Sequence, residues 1–468
     1  MPLTRIKLSP EPDCPEQWLD LAAQRWSGRL ALSNPGSQLS FSQLLTDAAD
    51  LARRHFPLPG PAALHAETRW DLALRIHAAL RCAIPALPLE PDWPSARRQA
   101  LVTQCGIVPP PSPETAQTAQ DKPGTSSDSR RPDLLIPSSG SSGPPRIAML
   151  SGANLRAAVQ ASAQRLPLFT DDLWLSCLPL GHIGGLSILL RCVHAGAGVR
   201  IHEGFEAELV WRELHTHPVT HISLVPAMLQ RLLDASENRT PPSRLRVVLV
   251  GGAALDPGLA RRALDAGWPL YVTYGMSETS SQVATGRVPE TGLEAGWVGR
   301  PLKGFEVRID DPDTHGVGRI MLRGPAVMAG YANPGLKPGE GLEAGWLPSG
   351  DLGRLSQDGE LVVLGRADDI LVSGGMLVHP TEVEHRLQGC PGIGVVALSA
   401  RTDPTWGDLL VAVYTGPIEP AVLRAYCRQN LESECRPRRF LRREQLPLGA
   451  SGKLDRRRLR QWVEERLR

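Results

Sequence analysis

The 468-residue sequence is poor in aromatic residues, at 5%, and its formal net charge is only +2. A near-neutral balance provides no global field to draw in nucleic acid or an anionic membrane surface. No run approaches the roughly 18 uninterrupted apolar residues that span a bilayer. Met1-Pro-Leu-Thr-Arg-Ile-Lys7 has no apolar signal core, so the expectation is a cytoplasmic protein without membrane insertion. Eight cysteines stand far apart, at 14, 82, 105, 177, 192, 390, 427 and 435, and none forms a C-x-x-C pair. That spacing argues against a zinc site or a disulfide framework and for a reduced compartment. The Walker A spacing G-x-x-x-x-G-K-[ST] is missing, which argues against a conventional P-loop ATPase. No internal repeat is visible.

What is present is ordinary for a globular enzyme, with 42% hydrophobic and 21% charged residues. The length exceeds what one hydrophobic core supports, so two or more domains are expected. Charge is uneven: residues 421–468 hold 14 Arg and Lys against 6 Asp and Glu. Such a tail fits a polyphosphate ligand or simply a solvated helical face. Residues 15–105 mix helices with short strands. Residues 108–133 turn to Pro, Ser, Thr and Gln, a composition that predicts a flexible surface connection. From 134 to about 300, apolar strands such as Leu245-Arg-Val-Val-Leu-Val250 alternate with helices, the mark of an α/β layer structure. Gly-punctuated antiparallel strands follow to 365, and then a compact α+β unit. The prediction is a large N-terminal domain, 1–365, of layered sheets and a distorted barrel, with a small C-terminal α+β domain, 366–468.

One loop carries chemistry by itself. Ser138, Ser139, Gly140, Ser141, Ser142 and Gly143 interleave hydroxyls with glycines after an apolar run, and Arg146 closes the segment. Backbone N–H groups freed by glycine, with hydroxyl donors beside them, form a nest for phosphate oxygens. A Ser/Gly linker has the same composition. The preceding apolar run, the closing cation and the helix opening at Ser151 favour the nest.

The loop resembles the phosphate-binding signature of the acyl-adenylate-forming superfamily, and further motifs of that family follow in order to residue 459. Pro179-Leu-Gly181-His182-Ile-Gly-Gly185 resembles P-L-F-H-x-x-G, with glycine replacing the usual aromatic. Val250-Gly-Gly252-Ala253 is similar to the turn that walls the adenine and acyl pockets. Tyr274-Gly275-Met-Ser277-Glu278 resembles Y-G-x-T-E, Ser349-Gly-Asp351 resembles T-G-D, and Gly365-Arg366-Ala-Asp368-Asp369 the domain junction. Ser451-Gly-Lys453-Leu-Asp-Arg456 matches the terminal G-K-[IL]-x-R. The resemblance implies an ATP-dependent acid–thiol ligase that joins a carboxylate to AMP and passes the acyl group to CoA, with Mg2+ as cofactor.

Chemistry agrees with that implication. A carboxylate is a poor electrophile until it gains a leaving group, and attack on the ATP α-phosphate provides one. Charge then gathers on phosphate oxygens, so cations and aimed donors do the catalysis. By resemblance, Glu278 holds Mg2+ and Ser277 touches the α-phosphate. Asp351 takes the ribose hydroxyls with support from Arg366. Lys453 bridges the acyl carboxylate and the α-phosphate, and His182 orients the acid or gates the thiol channel. His182 is equally readable as a hydrogen-bonded core residue. The family's lid rotation implies a hinge at Asp368 and a thiol tunnel lined by Gly374 and Gly375, making the C-terminal domain mobile. Within the superfamily, Ser223-Leu-Val-Pro226-Ala-Met-Leu229 and the neighbouring motifs are most similar to the o-succinylbenzoate–CoA ligases of menaquinone biosynthesis. A ligase for another aryl or medium-chain acid, or one loading a carrier protein, is the alternative. A substrate with a second carboxylate calls for a cation deep in the acyl pocket, which the sequence does not identify. Oligomeric state, a homodimer included, is open.

Overall fold

The short apolar runs between 173 and 287 fold into a nine-stranded sheet. The structure, a computed structural model, describes residues 14–56, 60–107, 132–138, 146–333, 336–448 and 454–467, apart from the side chains of Leu377 and Glu434. From edge to edge the nine strands are Arg300–Pro301, Ser281–Arg287, Leu270–Met276, Val247–Val250, His221–Leu224, Leu173–Ser176, Gly198–Ile201, Leu30–Ser33 and Gln38–Ser40. The six from Leu270–Met276 to Leu30–Ser33 run parallel, and the outer strands are antiparallel. Parallel strands covered on both faces lose the in-out alternation and read as continuous apolar runs. Val247–Val250 is such a run, buried at every residue.

Leu173–Ser176 lies between Gly198–Ile201, the next strand in the chain, and His221–Leu224, the one after. The sheet therefore grows first to one side and then to the other, and the carboxyl ends beside this reversal form the crevice where open α/β sheets bind ligands.

A second sheet has the order Gly330–Tyr331, Ile147–Ser151, Pro132–Pro137, Ala86–Pro88, Ala62–Leu64. Its two central strands are joined through residues 138–146. The Ser138 N–H donates to the Arg146 carbonyl at 2.7 Å and closes the neck of that loop. Ser151 caps the helix Gly152–Arg165 in a reciprocal capping box with Asn154. The Asn154 amide also donates to the carbonyls of Pro325 and Val327, fastening the helix to a distant loop. The Gly-punctuated strands form a four-stranded antiparallel sheet, Glu306–Asp310, Gly318–Arg323, Leu347–Leu355, Leu361–Arg366.

The smaller C-terminal α+β domain has its own sheet, Met376–Val378, Leu371–Ser373, Gly407–Tyr414, Val396–Asp403, with Arg439–Arg442 parallel to Gly407–Tyr414. Along Gly407–Tyr414, Leu410, Ala412 and Tyr414 face the helices Pro380–Gln388 and Pro420–Asn430, while Leu409, Val411 and Val413 face Arg456–Arg466. The two-residue period of a strand thus fills two cores at once. Of the segment expected to be a flexible connection, residues 108–131 lie outside the described residues, and Pro132 and Asp133 begin a strand. No helix among the described residues is long and apolar enough to cross a membrane.

Candidate active site

The expected site residues come from loops at the carboxyl ends of the parallel strands. His182 follows Leu173–Ser176 and caps the helix Ile183–Ala195. Gly252 and Ala253 follow Val247–Val250 in an exposed turn, with Gly252 at φ 80°. Tyr274 and Gly275 close the strand Leu270–Met276, and Ser277 and Glu278 form the helical turn after it. Gly275 is dictated by packing, because a Cβ there would sit 1.7 Å from the Ser281 carbonyl.

Two sets of contacts draw other sheets to this edge. The Ser277 hydroxyl donates to the Pro137 carbonyl at 3.1 Å, where the second sheet enters the glycine-rich loop. The Tyr331 hydroxyl donates to Glu278 Oε1 at 2.9 Å, and the Arg146 guanidinium lies 5.1 Å over the Tyr331 ring. Burial, and then the Glu278 charge, raise the Tyr331 phenol above its usual range, so it stays a neutral donor. The mouth of the glycine-rich loop, its closing cation and Glu278 therefore share one place. Tyr331 is a partner that sequence reading missed. It reaches Glu278 only because Gly330–Tyr331 pairs with Ile147–Ser151, a long-range contact without a local signal.

The other set belongs to the four-stranded sheet. Asp351 and Arg366 are cross-strand partners, and the Tyr274 hydroxyl donates to Asp351 Oδ2 at 2.6 Å. Burial, and then the Asp351 charge, push the Tyr274 phenol well above its ordinary value. Arg366 Nη1 lies 3.6 Å from Asp351 Oδ1 and donates to the Ser349 carbonyl at 3.0 Å. Burial opposes the charge on Arg366, yet Asp351 and Asp368 outweigh it and its pKa is raised. A nearly buried carboxylate beside a fixed guanidinium is a fitting acceptor for two vicinal hydroxyls.

Among the described residues no three or more His, Cys, Asp or Glu side chains gather for a metal. Glu278 would offer one carboxylate beside phosphate oxygens, the donor set that suits Mg2+. Asp368 lies in the turn Ala367–Asp369, where it accepts from Arg366 Nε at 3.0 Å. Gly374 and Gly375, at φ 61° and 81°, form the tip of a hairpin between Leu371–Ser373 and Met376–Val378. Ser139, Gly140, Ser141, Ser142, Gly143 and Lys453 lie outside the described residues.

Sequence reading also missed Arg191. It projects from the helix Ile183–Ala195, is 6% exposed, and donates to the Ser281 hydroxyl at 3.0 Å, three residues past Glu278. Burial pushes its guanidinium down to about 10. Among the described residues it has no carboxylate in ion-pair range; its partners are the Ser281 hydroxyl and the Trp174 ring, 5.6 Å beneath the guanidinium.

Comparison with known proteins gives two family models. The AMP-binding enzyme model matches residues 108–332, and the AMP-binding enzyme C-terminal domain model matches 382–453. The chain is 36% identical over 337 residues to the 2-succinylbenzoate–CoA ligase of Bacillus cereus (strain AH820), covering 71% of this chain and 70% of the relative. It is similar to the o-succinylbenzoate CoA synthetase MenE of Bacillus subtilis bound to the acyl-adenylate intermediate OSB-AMP. The TM-score is 0.82 at 28% identity, over 97% of this chain and 98% of that one. The same enzyme with ATP and a magnesium ion gives a TM-score of 0.82 at 29% identity, over 95% and 99%.

Proposed function

The chain belongs to the AMP-binding enzyme family and is an adenylate-forming acid–CoA ligase, and from that premise we propose that its acid is 2-succinylbenzoate, the substrate of the menaquinone-pathway ligases. The observation that carries the assignment of the site is the meeting of Ser277, Glu278 and Tyr331 with Pro137 and Arg146, the residues that flank the glycine-rich loop, at the same sheet edge as Tyr274 and Asp351.

A carboxylate oxygen of the acid attacks the α-phosphorus of ATP, the bond to the β-phosphate oxygen breaks, and pyrophosphate leaves. Asp351 and Arg366 hold the ribose. Ser277 donates to the α-phosphate, Arg146 and the glycine-rich loop take the outer phosphates, and Lys453 neutralises charge between acid and phosphate. Mg2+ bound beside Glu278 would lower the cost of that charge. In the second step the CoA thiolate attacks the acyl carbon and AMP leaves, the thiol arriving past Gly374 and Gly375. Lys453 must withdraw between the steps, which assigns a moving role to residues 366–468 and a pivot to Asp368. Arg191 fits the substrate's second carboxylate, because a buried cation without an internal anion is costly until a ligand supplies one.

The test is acid-dependent ATP–pyrophosphate exchange across a panel of carboxylates, followed by mass detection of the CoA product. Exchange strongest with 2-succinylbenzoate and a matching thioester are expected. Stronger exchange with a simple aryl or medium-chain monoacid would overturn the substrate, and no acid-dependent exchange would overturn the site.

A further inference from the structure

The motif at 179–185 carries glycine where the family pattern has an aromatic, and the structure contains an aromatic in that space from elsewhere. A Cβ on Gly181 would lie 3.0 Å from Cη2 and 3.2 Å from Cζ2 of Trp93, and 3.2 Å from the Glu90 backbone nitrogen. Trp93 is 5% exposed and belongs to the loop after Ala86–Pro88 in the second sheet, 88 residues before Gly181. Its ring meets His182 edge to face, with centroids 5.3 Å apart. That arrangement sets the positive edge of one ring against the negative face of the other and so favours one orientation. Arg97, one helical turn on, lies 4.1 Å over the indole and fixes it from its other neighbour. The backbone is locked as well. Glu90 Oε2 accepts the Gly181 N–H at 2.7 Å, Glu90 is ion-paired with buried Arg69, and Arg69 donates to the Cys177 carbonyl.

We infer that Trp93 is a positioning residue for His182, occupying the volume that Gly181 leaves and setting the imidazole at the acid and thiol entrance. Trp93 and a large side chain at 181 compete for one volume, so the two positions act as one unit contributed by two sheets. The inference rests on the ligase reading above and gives His182 a fixed rotamer within it.

The experiment is a double-mutant cycle between Trp93 and His182, read as kcat/KM for the acid and KM for ATP in pyrophosphate exchange. Trp93→Leu, which keeps apolar volume without a ring, should lower kcat/KM for the acid about 2- to 10-fold, the range of one aromatic pair, and leave KM for ATP unchanged. In a His182→Ala background the same substitution should cost nothing further. Gly181→Phe alone should be worse than Gly181→Phe combined with Trp93→Ala. Equal losses in both backgrounds, or no loss in either, would overturn the positioning role. If Trp93→Leu failed to fold, Trp93→Met, likewise apolar and without a ring, carries the same cycle. If the wild type showed no exchange with any acid, the ligase reading itself would fall. The pair would then be judged from the His182 ring resonances, expected to shift in Trp93→Leu and fatal to the inference if they do not.

Discussion

Asp351 Oδ2 already accepts the Tyr274 hydroxyl, and its other oxygen faces Arg366, so the carboxylate is aimed before any sugar arrives. Tyr274→Phe removes a hydrogen bond to a charged acceptor, worth about 1.5–3 kcal/mol. KM for ATP should rise about tenfold or more in pyrophosphate exchange, with KM for the acid little changed. The raised Tyr274 pKa fixes the pH dependence of this contact. The phenol stays protonated beyond the usual tyrosine value of about 10, so KM for ATP should show no inflection near that pH. An inflection there that Tyr274→Phe abolishes would contradict the assigned environment. Arg191 gives a prediction of opposite sign in stability and activity. Arg191→Met removes a buried cation that has no anion among the described residues, so the melting temperature should hold or rise. Exchange with 2-succinylbenzoate should fall about 10²-fold relative to a monocarboxylate analogue, the scale of losing one partner of a buried charge pair. A parallel loss for both acids would remove Arg191 from the acyl pocket.

Whole elements show how much was legible in the sequence. Several of the segments that were read occupy one turn at one strand end, where local residue types suffice: Tyr274 to Glu278, Gly252 with Ala253, and the helix start at Ser151–Asn154. Tyr331, Trp93 and Arg191 were not legible. Tyr331 and Trp93 act through pairing between elements remote in the chain, and an Arg on an apolar helix carries no mark of the partners it will meet. The two-residue strand Gly330–Tyr331 is shorter than any periodicity can reveal. Gly374 and Gly375 were singled out by resemblance alone, and the structure places them at the tip of a hairpin. Two successive residues at positive φ make the tight turn that matches strand twist. The Gly374 N–H donates to the Trp406 carbonyl at 2.8 Å, and a Cβ there would press on the Trp406 ring at 3.1 Å. Gly374→Leu should therefore slow thioester formation while pyrophosphate exchange stays near wild type. Equal loss in both assays would show the hairpin to be a folding element rather than a wall of the thiol path.

At the scale of the whole molecule, the proposed pivot is bounded on both sides. Arg366 is held in the four-stranded sheet opposite Asp351. Asp369 is held by Arg456 Nε at 3.2 Å, and Arg456 also grips both carboxylate oxygens of Glu384 in the C-terminal domain. Burial and then neighbouring charges act on Asp369, leaving its pKa raised, a sign that its ion pair with Arg456 is enclosed rather than solvent-screened. The proposed rotation of the smaller domain would then be absorbed between these two anchors, at Ala367 and Asp368. The domains also touch where His385 Nδ1 lies 3.8 Å from Asp256 Oδ2, a long ion pair weak enough to exchange. Proline at 368 fixes φ and restricts the residue before it. Asp368→Pro should leave acid-dependent exchange close to wild type and slow thioester formation roughly 10²-fold, the scale of a misplaced reacting group. Lys453→Ala should do the reverse, slowing adenylation about 10²–10³-fold while a supplied acyl-adenylate is still converted to thioester. Opposite defects in the two variants require one catalytic lysine that is present in the first step and absent from the second. Identical defects would mean that the two domains work in a single fixed arrangement.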